Sequence, residues 1–290
     1  MKRIAALLLA FVMLLSLIAC DSNSRDRDRD RDRDSGKNRF SFTEMTAVDN
    51  DECLIKITDV YIDDTFGFAL KTYLENKSTD KTYIFTVDSV FINGVQGDSL
   101  FYAEVSPEKK ANEDIFFSTE ELEQNGVGDF TDIELTFSVS DNADWSADPV
   151  ATETVHVYPY GEDKAVQFVR EPQDTDIVLV DNEYVSVIVT GYNPNGYWGY
   201  TVNLFLINKT DKKVMFSADD VSVNGFMLDP FYGESLAGGK CAFSSMSWFE
   251  EEFDENDITD VEEIEFTFRA RDYEDWLADD FVNESITLNP

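Results

Sequence analysis

Hydrophobic and polar positions alternate along this chain at a period of two. Residues 68–74 and 133–139 follow the pattern, and residues 200–206 repeat it later. Such alternation is typical of β-strands that turn one face to a core and the other to solvent. Turn-forming residues such as Asn93-Gly94 separate these segments, and Asn-Gly after a β-branched run favours a hairpin. About seven short strands in about 110 residues predict an antiparallel β-sandwich.

The same series of motifs occurs twice. Val48-Asp49-Asn50 recurs at residues 180–182, and residues 74–81 are matched by residues 206–213, both at an offset of 132. Ile133-Glu134 recurs as Ile264-Glu265 at an offset of 131. An offset that changes by one residue between motifs indicates single-residue loop insertions in a duplicated domain. The predicted boundaries are 46–159 for domain 1, 160–177 for a linker and 178–290 for domain 2.

One short helix is expected in each copy. Residues 118–122 (Ser-Thr-Glu-Glu-Leu) have the spacing of a capping box, in which a hydroxyl residue is followed three positions later by a Glu or Gln. Residues 249–253 stand at the corresponding place in the second copy.

The N-terminus has the features of an export signal. Lys2 and Arg3 precede an apolar run over residues 4–18, which is too short to be a comfortable membrane span. The run ends in Leu17-Ile18-Ala19-Cys20, which resembles the bacterial lipobox. That resemblance implies a signal peptide at residues 1–20 and a diacylglyceryl group, with its palmitate-type chains, on Cys20. The alternative is an ordinary secretory signal in which the cysteine is incidental.

Residues 21–45 are predicted to form a disordered tether. Arg and Asp alternate strictly from Arg25 to Asp34, so this run has no apolar side chain to bury. The expected result is a folded part held off the extracytoplasmic face of the cell membrane by a lipid anchor and a solvated spacer.

The strongly negative net charge of the chain limits which classes of molecule it can bind. The 290 residues carry a net charge of −36, and residues 1–39 hold nine basic and six acidic side chains. The remaining chain has 14 basic and 53 acidic side chains, a net charge of −39. A surface this acidic repels phosphate backbones, so nucleic acid is excluded as a partner. The single histidine, His156, rules out a multi-histidine metal site and is expected to be a polar strand residue.

These motifs resemble the Ig-like sandwich domains, many uncharacterised, found in lipoproteins of Gram-positive bacteria. The resemblance rests on the lipobox, the low-complexity tether, the strands that end in Asn-Lys-Ser/Thr at residues 76–78 and 208–210, and the Ile-Glu-x-x-Phe strands. It implies an all-β fold of two tandem Ig-like antiparallel β-sandwiches over residues 46–290, each with one short helix. It implies no activity and no active-site signature.

Aromatic residues around residues 193–196 (Asn-Pro-Asn-Gly) suggest a platform for a surface protein or glycan partner. Trp198 and Tyr200 align with Phe66 and Phe68 and are therefore expected in the core or on a sheet face. Tyr192 and Tyr197 are extra in the second copy, and they are the candidate partner-binding residues.

The densest acidic run lies over residues 250–265. The simplest interpretation is a solvated helix and loop. The alternative is a weak calcium site, with Glu251, Asp254 and Asp257 as candidate ligands, although no EF-hand spacing is present.

Two cysteines remain after Cys20. An exported protein permits a disulfide, but Cys53 aligns with Val185, and Cys241 aligns with Ala111 when Lys240 is matched to Lys110. Since the two thiols occupy different places in different copies, they are expected to be separate and buried.

The sequence therefore predicts a lipid-anchored cell-surface protein that binds or presents a ligand, with no catalytic residues and no cofactor beyond weak calcium. A structural spacer is the first alternative. An acid-pair hydrolase that acts on a wall polymer or glycan is the second, and it would need two carboxylates facing each other across a cleft.

Overall fold

A computed structural model describes residues 40–144 and 146–290 of the chain. Cys20, the export signal and the Arg-Asp repeat lie outside the described residues.

The first half, from β1 to β10, is almost entirely β-structure. Its strands are β1 Met45–Asp49, β2 Cys53–Asp63, β3 Gly67–Asn76, β4 Tyr83–Ile92, β5 Val95–Gly97, β6 Ser99–Leu100, β7 Tyr102–Val105, β8 Lys110–Phe117, β9 Ile133–Asp141 and β10 Ala151–Val157. One short helix, α1 Glu120–Gln124, lies between β8 and β9.

The second half, from β11 to β19, repeats this order after a 3₁₀ turn at Glu162–Lys164. Its strands are β11 Ile177–Asp181, β12 Val185–Gly196, β13 Gly199–Asn208, β14 Val214–Val223, β15 Phe226–Met227, β16 Glu234–Leu236, β17 Cys241–Trp248, β18 Ile264–Asp272 and β19 Val282–Leu288. The helix α2 Glu250–Glu255 lies between β17 and β18, in the place that α1 takes in the first half.

These strands form three sheets. The first has the order β1-β2-β3-β8-β6, and the third has the order β15-β14-β18-β19 with β16 also paired to β14. The middle sheet has the order β10-β9-β4-β5-β17-β13-β12-β11, with β7 also paired to β4, so it contains strands of both halves.

Each half buries its apolar positions between two layers. In β2, for example, Cys53, Ile55 and Ile57 are fully buried, whereas Leu54 and Lys56 between them are partly exposed. Two hydrophobic cores result, one built mainly from β1 to β10 and one from β11 to β19. The prediction of an all-β chain with two tandem Ig-like antiparallel β-sandwiches, each with one short helix, is confirmed.

A buried asparagine anchors the same loop in each half. Asn76 donates from Nδ2 to the carbonyl oxygens of Lys81 (2.8 Å) and Val105 (2.7 Å), and its Oδ1 accepts from the Ser78 amide (2.9 Å). Asn208 does the same with Lys212, Leu236 and Thr210. A side chain that satisfies three backbone groups stabilises a loop whose polar atoms are out of reach of water.

The Asn-Gly turns are confirmed as hairpins. Asn93 and Asn224 have φ of 53° and 51°, and Gly94 and Gly225 have φ of 86° and 83°. Two successive positive φ values match the twist of the flanking strands, and Asn and Gly accept this conformation at the lowest cost.

Backbone bonds correct one detail of the repeat. The Asn76 amide donates to the Lys109 carbonyl and the Asn208 amide to the Lys240 carbonyl, both at 2.9 Å. Lys240 is therefore the counterpart of Lys109, not of Lys110, so Cys241 takes the place of Lys110. The sequence leaves this match ambiguous because the first copy has two adjacent lysines, Lys109 and Lys110, and either could be aligned with Lys240.

The helix caps also differ from the expectation. Thr119 is the N-cap of α1, and it makes no side-chain capping bond. In α2 the Glu252 carboxylate accepts from the Phe249 amide at 3.2 Å, which is one of the two bonds of a capping box.

Several contacts join the two halves. Strand β5 runs parallel to β17 with Val95 opposite Cys241, and the Cys241 amide donates to the Gly94 carbonyl at 3.1 Å. Phe91 of the first half is buried in the second core. Lys240 forms an ion pair with Glu134 and lies over the Phe91 ring, 5.0 Å from its centroid.

The residues between β10 and β11 reinforce this junction. Phe168 packs against Phe205 and Phe243, with ring centroids 6.3 and 5.9 Å away, and its amide donates to Asn93. Arg170 binds Asp176 through two bonds of 2.7 Å. The segment predicted as a linker is thus packed onto the fold.

The same holds for the end of the predicted tether. Phe40 and Phe42 pack against the first core, and the Ser41 amide donates to the Pro159 carbonyl at 2.8 Å. Residues 40–45, which the sequence places in the tether, are therefore ordered against the first half.

Replacing the anchor asparagine tests this account of the fold. Asn76→Ala should lower the free energy of unfolding by about 3 kcal/mol, because two carbonyls and one amide lose their buried partner. Urea unfolding followed by tryptophan fluorescence measures this change. The exposed Asn112 makes no side-chain hydrogen bond within residues 40–144 and 146–290, so Asn112→Ala should cost less than about 0.5 kcal/mol. Equal losses in the two variants would contradict the assignment.

Candidate functional site

The β12–β13 hairpin of the second half ends in two exposed aromatic residues. Gly196 pairs with Gly199, which leaves Tyr197 and Trp198 as the turn. Tyr197 is 92% exposed and Trp198 is 53% exposed. Gly199 has a φ of 116°, and a side chain there would meet the Trp248 carbonyl oxygen, so only glycine closes the turn in this way.

A third ring extends this surface. The Tyr197 and Trp198 rings are perpendicular at 88°, with centroids 4.9 Å apart, and Trp198 is perpendicular to Phe249 at 89° and 6.0 Å. Phe249 itself is 42% exposed. We call Tyr197, Trp198 and Phe249 the aromatic tip.

The structure changes the roles expected for these residues. Trp198 was expected in the core or on a sheet face, and it lies instead at an exposed turn. Tyr192, a candidate partner-binding residue, is half-buried and packs against the second core. Its hydroxyl is buried and has no hydrogen-bond partner among the described residues, and burial raises the pKa of this phenol.

The turn itself lies later in the chain than the Asn-Pro-Asn-Gly signal suggests. Residues 193–196 belong to β12. The pairing of β12 with β13 shifts in register twice, between Val189 and Gly191 and between Asn193 and Gly196. The sequence signal that could have located the tip is the pair of glycines at 196 and 199, separated by two residues.

Two hollows flank the aromatic tip. One, of about 840 Å³, lies between α1 and the outer faces of β13 and β17, and Tyr197 and Trp198 form part of its wall. We call it the inter-half hollow. The other, of about 970 Å³, lies on the opposite side of the tip against α2, and Phe249, Glu250 and Asp254 line it. The aromatic tip is the ridge between them.

The equivalent turn of the first half carries a smaller aromatic surface. Phe66, the counterpart of Trp198, is also 53% exposed and contacts Phe116 with ring centroids 4.7 Å apart. Thr65 stands at the position of Tyr197. The duplicated turn therefore carries one large ring in the first half and two in the second.

The acidic run does not assemble into a metal centre. Glu251, Asp254 and Asp257 lie on α2 and the turn that follows it. Over residues 40–144 and 146–290, no group of three or more His, Cys, Asp or Glu side chains is placed to hold a metal ion.

His156 is held in a network of acidic side chains. Its Nδ1 lies 2.7 Å from Asp132 Oδ1, its Nε2 lies 3.5 Å from Glu134 Oε2, and its ring stacks on Tyr158. Since Glu134 also binds Lys240, this network belongs to the junction between the halves.

The two described cysteines are separate free thiols, but only Cys53 is as buried as the sequence predicts. Cys53 is fully buried and Cys241 is half-buried. Burial raises the pKa of each thiol to about 11, so neither is an activated nucleophile at neutral pH.

No protein-family model and no curated protein matches this sequence. Solved structures do match, among them the following two. The YadV chaperone is 12% identical, with 82% of this chain and 100% of that chain covered, at a TM-score of 0.26. The CsuC–CsuE chaperone–tip adhesion subunit pre-assembly complex of Acinetobacter baumannii is 10% identical, with 76% and 90% covered, at a TM-score of 0.23. TM-scores this low carry no argument about function.

No helix in the described part of the chain is long and apolar enough to span a bilayer.

The contrast between the two candidate tyrosines can be measured. Tyr192→Phe should raise the free energy of unfolding by up to about 1 kcal/mol, because it removes a buried hydroxyl that has no partner. Tyr192→Ser should lower it by about 2 kcal/mol through lost packing. Tyr197→Ser, at a side chain surrounded by solvent, should change it by less than about 0.5 kcal/mol. A loss of stability in Tyr192→Phe would contradict the placement of this ring.

Proposed function

We propose that this chain is a binding protein of the extracytoplasmic cell surface, anchored in the membrane through lipid on Cys20, and that it has no catalytic role. The observation that carries the proposal is the aromatic tip. Large rings exposed side by side at a turn are favoured in recognition surfaces, because they bury much area with few rotatable bonds.

A purely structural spacer fits this surface less well. A spacer needs no exposed aromatic patch, and a tight hairpin turn is closed most readily by small polar residues and glycine. Here the turn residues are Tyr197 and Trp198, and Phe249 adds a third ring from a different strand end. Their convergence from two segments favours a ligand-contacting surface.

Hydrolysis by an acid pair is also less well supported. Partial burial and the nearby Asp98 carboxylate raise the pKa of Glu121, which lines the inter-half hollow. Glu120 also lines this hollow. It is next to Glu121 on α1, so the two carboxyl groups lie on the same side of the hollow. A glycosidase needs its two carboxyl groups on opposite sides of the scissile bond.

The surface charge limits what such a protein would bind. The net charge of −39 beyond residue 39 repels polyanions over a distance of about 8 Å at physiological ionic strength. Neutral or basic partners are therefore favoured over phosphate-rich polymers.

Capture of surface material tests the proposal. The full chain, anchored in lipid vesicles, is incubated with a bacterial surface extract, with and without calcium, and the retained material is quantified. The native protein and Phe66→Ala should retain the same material. The double variant Tyr197→Ser, Trp198→Ala should lose at least about 90% of it, because about 1.4 kcal/mol of binding free energy corresponds to a factor of ten.

Phe66→Ala is a matched control, since Phe66 has the same exposed fraction as Trp198 at the equivalent turn. Both variants should melt at the temperature of the native protein. Equal retention by the native protein and the double variant would contradict a role for the aromatic tip.

A further inference from the structure

We propose that the inter-half hollow binds a neutral oligosaccharide, with Trp198 as its stacking platform. This inference rests on the proposed function and names the ligand class of the same surface.

The hollow is built by both halves. Its floor is the outer face of β13 and β17, one wall is α1 of the first half, and the opposite wall is the Tyr197-Trp198 turn of the second half. Its volume of about 840 Å³ lies near the upper end of the range for small-ligand sites. A hollow of this size accommodates several linked rings.

The floor is mostly uncharged and polar, with Leu204 and Phe243 as its apolar members. Asn203 lies opposite Ser245 in the β13–β17 ladder, so the two side chains share one face of the sheet. Both are exposed, and neither makes a side-chain hydrogen bond to another residue in the described ranges. Thr201 and Ser247 are likewise opposite each other, and their hydroxyls bond at 3.0 Å. Amide and hydroxyl groups that donate and accept match the hydroxyls of a sugar.

The wall supplies the apolar complement. A pyranose ring presents C–H groups on one face and hydroxyls around its rim, and the positively polarised C–H groups are attracted to the negative face of an aromatic ring. Trp198 is half-exposed at the edge of the hydroxyl-lined floor, and Tyr197 stands perpendicular to it. Trp198 can therefore stack on the C–H face of a sugar ring while the floor of the hollow hydrogen-bonds its hydroxyls.

The charged groups in the hollow favour a ligand without negative charge. Arg170 is the basic residue among the described residues that line the hollow. Two of its guanidinium nitrogens donate hydrogen bonds of 2.7 Å to the Asp176 carboxylate. Its charge is therefore already compensated, and Glu120 and Glu121 add negative charge to the opposite wall. A phosphate or uronate would meet these carboxylates, and among the described lining residues it would find no uncompensated cation. Sugar hydroxyls, in contrast, can donate to those carboxylates.

Calorimetric titration of the full chain in detergent micelles tests this assignment. The probes are neutral tetrasaccharides (cellotetraose, maltotetraose and chitotetraose), anionic tetragalacturonate and cationic chitosan tetramer. The native protein should bind at least one neutral tetrasaccharide more tightly than tetragalacturonate. Any attraction of the cationic tetramer to the acidic surface should be the same in Trp198→Ala. Trp198→Ala and the double variant Asn203→Ala, Ser245→Ala should each weaken that binding about tenfold, whereas Phe66→Ala should leave it unchanged. Equal melting temperatures exclude unfolding as the cause.

Three results would overturn the inference: no neutral tetrasaccharide binds, tetragalacturonate binds more tightly than every neutral one, or the hollow variants bind the neutral sugar as the native protein does. These failures are separable from that of the proposed function. If surface material is still captured through the aromatic tip while no tetrasaccharide binds, the oligosaccharide assignment is wrong and the binding role stands. If neither is observed, both are wrong.

Discussion

Strand β5 of the first half lies beside β17 of the second at Val95 and Cys241, so one sheet continues from one half into the other. This pairing is short, and it is reinforced by Phe91, which is buried in the second core, and by the ion pair between Lys240 and Glu134. Each side chain of this pair is only 18% exposed, so the removal of either one would leave a largely buried charge without its partner. The inter-half hollow depends on this junction, since α1 and the Tyr197-Trp198 turn belong to different halves.

A comparison of the two copies separates contacts that the fold requires from surface positions where the residues differ. The asparagines that anchor the loops, Asn76 and Asn208, keep the same set of partners in both copies, because losing any of these bonds would leave buried backbone groups unsatisfied. At the exposed turns nothing imposes such a requirement. There the first copy carries Thr65 and Phe66, and the second carries Tyr197 and Trp198. The two halves thus share their internal polar contacts and differ where a ligand has access.

Much of the fold could be predicted from sequence, because strand periodicity and Asn-Gly turns are local signals. The position of the aromatic tip could not. Asn193 to Gly196 form a strong turn signal, yet pairing with β13 extends β12 through them and moves the turn to Tyr197. The junction was equally hidden, since no periodicity indicates that β5 of one copy will pair with β17 of the other. Tyr192 shows the same limit: an extra tyrosine in sequence is either exposed or packed, and only its neighbours in the fold decide which.

If the junction is rigid, the two halves form one body and the inter-half hollow has a fixed width. Spin labels on Gln124→Cys in α1 and Asn195→Cys beside the aromatic tip, in a background with Cys20→Ser, measure the distance across that hollow. The background also carries Cys241→Ser because this thiol is half-buried, whereas Cys53 is fully buried and out of reach of the label. We expect one narrow distance distribution, which broadens when Phe168→Ala and Lys240→Ala loosen the junction. A broad or two-peaked distribution in the otherwise native chain would contradict the account.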